Sequence, residues 1–235
     1  MAGRAFEMSD IITGPSAGRT GLLRKIHRIN AIMLAAFIVI HMATHVSGLW
    51  GIDTYNTVQN ALRTVYRFPP FEVALLVSIK AQLLLGAWLM VIRLRLGRPR
   101  GFWSWLQIVS GGVFFIFMTQ HLYSFAMARV YFDLDTNFYW PASVMSGPWF
   151  IYYFWPYYML GVFAVFAHAA AGVRFILLDR GAVRAARTIP AALTGAGALL
   201  AVIIPPIIAG VFYDIDLPED WIRYLRFYMP QFEPW

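Results

Sequence analysis

Apolar residues in this chain come in five long runs, 29–48, 71–92, 102–128, 149–175 and 189–212, separated by short polar or basic segments. Each run is close to or longer than the roughly 20 residues with which a helix crosses a hydrocarbon core about 30 Å thick. The pattern predicts an all-α integral membrane protein, a bundle of five transmembrane helices over residues 29–212. Residues 1–28 are mixed polar without an apolar core and read as an extension rather than a signal peptide. Residues 213–235 read as a tail with a short interfacial helix over 218–229, and the aromatic, turn-rich stretch 129–148 is expected to cap the same end. The fifth run contains Pro205 and Pro206 and no ionisable residue, as expected of a packing scaffold.

Composition agrees with this reading and charge orients it. The chain has 235 residues, 60% hydrophobic and 13% charged, with nine tryptophans and a mean hydropathy of +0.60. Arg4, Arg19, Arg24, Lys25 and Arg28 precede the first run, Arg93, Arg95, Arg98 and Arg100 follow the second, and Arg174, Arg180, Arg184 and Arg187 follow the fourth. These are 13 of the 19 basic residues, all on one side of a five-span topology. The positive-inside rule makes that side cytoplasmic, so the N-terminus is expected inside and the C-terminus in the periplasm of a bacterial inner membrane. The net charge of +7 is then a topology signal, and no nucleic-acid partner is expected. Cysteine is absent, which excludes disulfides, cysteine-held iron–sulfur clusters and a CxxCH haem attachment. Any metal centre must use histidine.

Ionisable side chains inside a span are costly and normally face a bundle interior, so each is a site candidate. His41 and His45, four residues apart in the first run, share one helical face. An offset of 80 residues lays His41 on His121 and Asn30 on Ser110, which places the two histidines at one depth on two helices. Two imidazoles so placed suit the two axial positions of a haem; the competing reading is that they hydrogen-bond neighbouring helices. His168 shares its face with Gly161, Ala164 and Gly172, which leaves room beside the ring, and lies on the order of 10 Å further inward. Lys80 falls near the depth of His41 and His121 with no acidic side chain inside the membrane to pair with it. It either meets a haem propionate or snorkels to the interface. Glu72 opens the second run directly after Pro69 and Pro70, placed either to exchange protons or to complement the helix dipole. His27 sits beside Arg28 in a basic cluster at the inner interface.

HAAAGVRFILLD, at 168–179, resembles the HxxxGxRHLxxD motif of the cytochrome b membrane anchors of succinate dehydrogenases and fumarate reductases, with Phe175 in place of the second histidine. IHRINA, at 26–31, is similar to the HRxTG element that opens those anchors, with Arg24 where a serine usually stands. The five-run layout resembles the fused anchors of fumarate reductases, which hold two haems, and the resemblance spans residues 22–181. It implies one or two haems b ligated among His41, His121 and His168, with His45, Lys80, Arg129 and Arg174 as further cofactor contacts. It also implies a quinone site using Glu72 and Lys80, and flavoprotein and iron–sulfur subunits on the cytoplasmic face. The second run lacks the histidine that two-haem anchors have there, and Trp88 falls opposite His168, so fewer than two bis-histidine haems are expected. The alternatives are a haem b subunit of a hydrogenase, formate dehydrogenase or ferric reductase, or a haem-free structural anchor.

Overall fold

The computed structural model describes residues 15–235, with side chains from residue 20 onward. Arg4 and the side chain of Arg19, two of the predicted topology charges, lie outside the described residues. All regular structure among the described residues is helical. Helix α1, Pro15–Ser47, ends in a 3-10 turn at Gly48–Trp50; α2 is Ile52–Tyr66, and α3 is Pro69–Arg95. Helix α4, Phe102–Ala126, continues into a π-turn at Met127–Tyr131, and α5 is the single turn Tyr139–Ser143. Helices α6, Phe150–Asp179, α7, Ala185–Ile208, and α8, Glu219–Tyr228, complete the chain. Five segments are long and apolar enough to cross a membrane: Thr20–Trp50, Pro69–Arg95, Phe102–Tyr131, Phe150–Asp179 and Ala185–Ile208. The protein is a multi-pass membrane protein whose apolar helix faces contact lipid.

Local sequence explains both ends of α3. Pro69 and Pro70 occupy the first turn of α3, where a missing N–H costs nothing, and Glu72 in the same turn complements the helix dipole. Gly97, with φ +112°, turns the chain out of α3. Two features depart from the hydropathy pattern. Helix α1 begins well before the apolar run, because Leu22, Leu23, Arg24 and Lys25 are good helix formers whether or not they are buried. Helix α2 has no counterpart among the runs, since its polar residues fall on both faces and only Tyr55, Gln59 and Arg63 are buried.

The described residues form two compact units, 15–39 with 66–99, and 40–65 with 100–235. In the first, α1 and α3 are joined by a polar network. Asn30 Nδ2 donates to Ser78 O and to Gln82 Oε1, each at 2.9 Å, and Gln82 Nε2 in turn donates to His27 Nε2 at 3.0 Å. Gly86 makes room for the imidazole, because a Cβ there would stand 3.3 Å from His27 Nε2.

In the second unit α6 packs against α4 and α7 through small buried residues, Gly161, Ala164, Ala167, Ala170 and Ala171, as helices in lipid do when close backbone approach replaces hydrophobic drive. Phe166 occupies the space over Gly197 of α7, where a Cβ would lie 2.3 Å from Phe166 Cβ. Beyond the spans an aromatic core caps this unit: Tyr55, Phe138, Met145, Trp221, Tyr224 and Phe232 are all buried. The tail is tied down by Trp235 N donating to Ser146 O at 3.2 Å and Arg226 Nε donating to Phe232 O at 3.1 Å.

Candidate functional site

The last turns of α1 and the second half of α4 bring three histidines together in the second unit. His41 and His45 stand one turn apart, so their rings meet edge to face at 4.7 Å between centres. His121 faces His41 at 6.2 Å, with ring planes 78° apart. An imidazole nitrogen lies about 2.0 Å from a bound metal ion and about 1.1 Å from its own ring centre, so rings on opposite sides of one ion have centres about 6.2 Å apart. The His41–His121 separation matches that distance.

Supporting residues differ for the three rings. His121 stacks on Phe117 at 5.5 Å and meets Trp140 at 4.9 Å. Trp140 is itself held, its Nε1 donating to Ser124 Oγ at 3.2 Å, and Ser124 Oγ shares a 3.3 Å hydrogen bond with Tyr224 OH. His45 is 9% exposed and bonds through Nδ1 to Tyr55 OH at 3.4 Å, which makes it the ring anchored to the cap. Among the described residues no three histidine or carboxylate side chains converge as a metal cage. An ion held by His41 and His121 must therefore bring its other ligands with it, as the iron of a porphyrin does, and the two-imidazole donor set fits that group.

His168 lies elsewhere in the same unit. Its Nδ1 donates to the carbonyl of Gln107 at 2.9 Å; since a carbonyl only accepts, the proton is on Nδ1 and the lone pair is on Nε2. Gly111 of α4 accommodates the ring, for a Cβ there would stand 2.9 Å from His168 Nδ1. Gly161, expected from its shared face to leave room beside His168, instead receives Phe117. The space beside a packed side chain is set by the facing helix rather than by its own. Gly111 and His121 are ten residues apart, about 15 Å along α4, so His168 sits at a separate depth.

The remaining candidates are spread more widely. Arg174 donates to the carbonyl of Ala186 and lies 4.8 Å over the Trp103 ring, bracing the α6–α7 turn against α4. Arg129 lies 5.1 Å over Phe125 in the π-turn. Glu72, half-buried, and Lys80, exposed, both belong to the first unit. Hydropathy reasoning missed Tyr55, Trp140, Gln59 and Arg63. The i, i+4, i+8 spacing of Tyr55, Gln59 and Arg63 was the one available signal. The chain matches no family model and no curated protein.

Proposed function

We propose that the chain is the membrane-anchor cytochrome b of a succinate dehydrogenase or fumarate reductase-type complex in a bacterial cytoplasmic membrane. The basic loops face the cytoplasm, where flavoprotein and iron–sulfur subunits dock, and membrane quinone is the other redox partner. The observation that supports this reading is the His41–His121 pair, 6.2 Å apart on two helices, with no metal cage of three or more protein ligands among the described residues.

In this reading His41 and His121 hold haem b, and His168 offers Nε2 as the ligand of a second, inner position. Haem b supplies one-electron transfer between the quinone and the soluble subunits. The chain's own residues do the rest. Phe117 and Trp140 pack on His121 and Tyr55 anchors His45 beside His41, which is how surrounding groups tune a metal site. Glu72 would exchange protons with the quinone, and Lys80, on the same helix, would fix a quinone oxygen.

A reduced-minus-oxidised spectrum with a haem count on the purified complex tests the reading. A low-spin b-type signal that His121→Ala removes is expected. A complex without pigment, or full haem retention in His121→Ala, refutes it. The subunits that co-purify separate this family from a hydrogenase, formate dehydrogenase or ferric reductase.

A further inference from the structure

Three residues of α2 grip one segment of the cap. Asn56, Gln59 and Arg63 recur at three- and four-residue spacing, so they share a helical face. Phe138 N donates to Asn56 Oδ1 at 3.1 Å, and Gln59 Nε2 donates to Thr136 O at 3.2 Å. Arg63 makes the most bonds: Nη1 donates to both oxygens of the Asp135 carboxylate, at 3.0 and 2.9 Å, and Nη2 donates to Thr136 O.

The same two elements support the histidines. On α2, Tyr55 has its hydroxyl 3.4 Å from His45 Nδ1 and its ring 5.2 Å from that of Phe138. Two residues beyond Phe138, the Trp140 ring lies 4.9 Å from His121. Residues 135–140 therefore join α2, which bears on His45, to the ring that bears on His121.

Burial indicates what Arg63 adds. It is 7% exposed, whereas the side chain of Asp135 is 51% exposed. Taking a guanidinium out of water costs much of what its ion pair returns, so a well-packed apolar side chain would serve stability about as well. What an apolar contact lacks is direction. Tyr55 and Phe138, both buried, would hold the segment against α2 in more than one register, because hydrophobic contact is non-directional. A planar fork bonded to three oxygens of two successive residues accepts only one register.

We propose that Arg63 is a positioning residue for the histidine site: it sets the register of residues 135–140 on α2, and with it the placement of Trp140 on His121 relative to Tyr55 on His45. What the histidines bind rests on the proposed function, whereas the arrangement of their rings does not.

Solid-state NMR of the full chain in lipid bilayers, with 15N-labelled histidine and under reductant, tests the role; each ring signal is assigned by substituting its histidine. Arg63→Leu should shift or split the His45 and His121 signals. It should leave in place those of His27, in the other unit, and His168, at a separate depth. Arg63→Lys should act in the same way, since a single ammonium keeps the pairing with Asp135 but not the fork; it also serves where Arg63→Leu fails to fold. Unmoved His45 and His121 signals in a folded variant overturn the proposal. So does an equal shift of all five histidines, or failure of both variants to fold, because Arg63 then supports the fold at large. The signals are read with or without pigment. Unmoved signals in a pigmented complex fail this inference alone, and the expected shifts in a chain without pigment fail the functional reading alone.

Discussion

Replacing Gly161 with alanine should destabilise the protein and disturb His121 together. The added Cβ would lie 2.1, 2.3 and 2.5 Å from Phe117 Cδ2, Cε2 and Cγ, where carbon atoms ordinarily keep about 3.5 to 4.0 Å. Either the ring or the α4–α6 spacing must give by more than about 1 Å. The ring has little freedom, being held by Tyr157 at 4.6 Å, Phe114 at 6.3 Å and His121 at 5.5 Å. Overpacking of this kind costs about 1 to 3 kcal/mol, and the better helix propensity of alanine returns at most about 1 kcal/mol. A net loss of about 1 to 2 kcal/mol should lower the melting temperature by a few degrees, at about 2 to 4 °C per kcal/mol for a chain of this size. Thermal melts of the detergent-solubilised protein, followed by circular dichroism and by absorbance of the proposed haem, give both readouts. Gly195→Ala is the control, because nothing lies within 4 Å of a Cβ there. If Gly161→Ala melts with wild type and leaves the haem spectrum unchanged, Phe117 does not couple α6 packing to His121.

Other perturbations probe separate parts of the molecule. Asp135→Ala should destabilise the cap more than Arg63→Ala, because it leaves a guanidinium buried and unpaired while the reverse change leaves a carboxylate already half in water. A difference of about 1 kcal/mol or more is expected, read by chemical denaturation or by protease resistance of the 132–148 segment. Tyr213 donates to Gly48 O at 2.7 Å and to Ile207 O at 3.2 Å, and burial pushes its phenol up to about 12. The unfolded chain ionises first, near the ordinary value of about 10, so stability is complete below that pH and falls as pH rises toward 12. Tyr213→Phe should flatten this alkaline loss in denaturation curves taken across the range, and an unchanged slope refutes the assignment. Gly86→Ala should weaken the His27–Gln82 bond only mildly, since its Cβ would meet His27 Nε2 at 3.3 Å, a tight contact that a small shift of the imidazole relieves, and its melting point should fall less than that of Gly161→Ala. If Glu72 serves the proposed quinone site, Glu72→Gln should reduce quinone-coupled turnover while absorbance of the proposed haem and activity with artificial dyes persist; unchanged turnover leaves Glu72 as a helix-start residue.

Composition and hydropathy sufficed for the helical class, the five spans and the tail helix, because crossing a hydrocarbon core is a requirement each segment meets by its own length and apolarity. Histidines inside spans could likewise be picked out as candidates, since their cost in lipid does not depend on their neighbours. Which of them meet could not be read so directly. The 80-residue offset matched His41 with His121, yet their 6.2 Å separation depends on how α1 and α4 pack. Helix α2 escaped notice for the opposite reason: its buried residues are polar, and Gln59 and Arg63 are tolerated inside only because Asp135 and Thr136, more than 70 positions later, return to meet them. The same holds for the glycines, where Gly161 and Gly111 look alike in the sequence and only the facing helix decides that one receives Phe117 and the other His168. Spans follow from local free energy of transfer; partners follow from contacts between distant segments, which only the folded chain brings together.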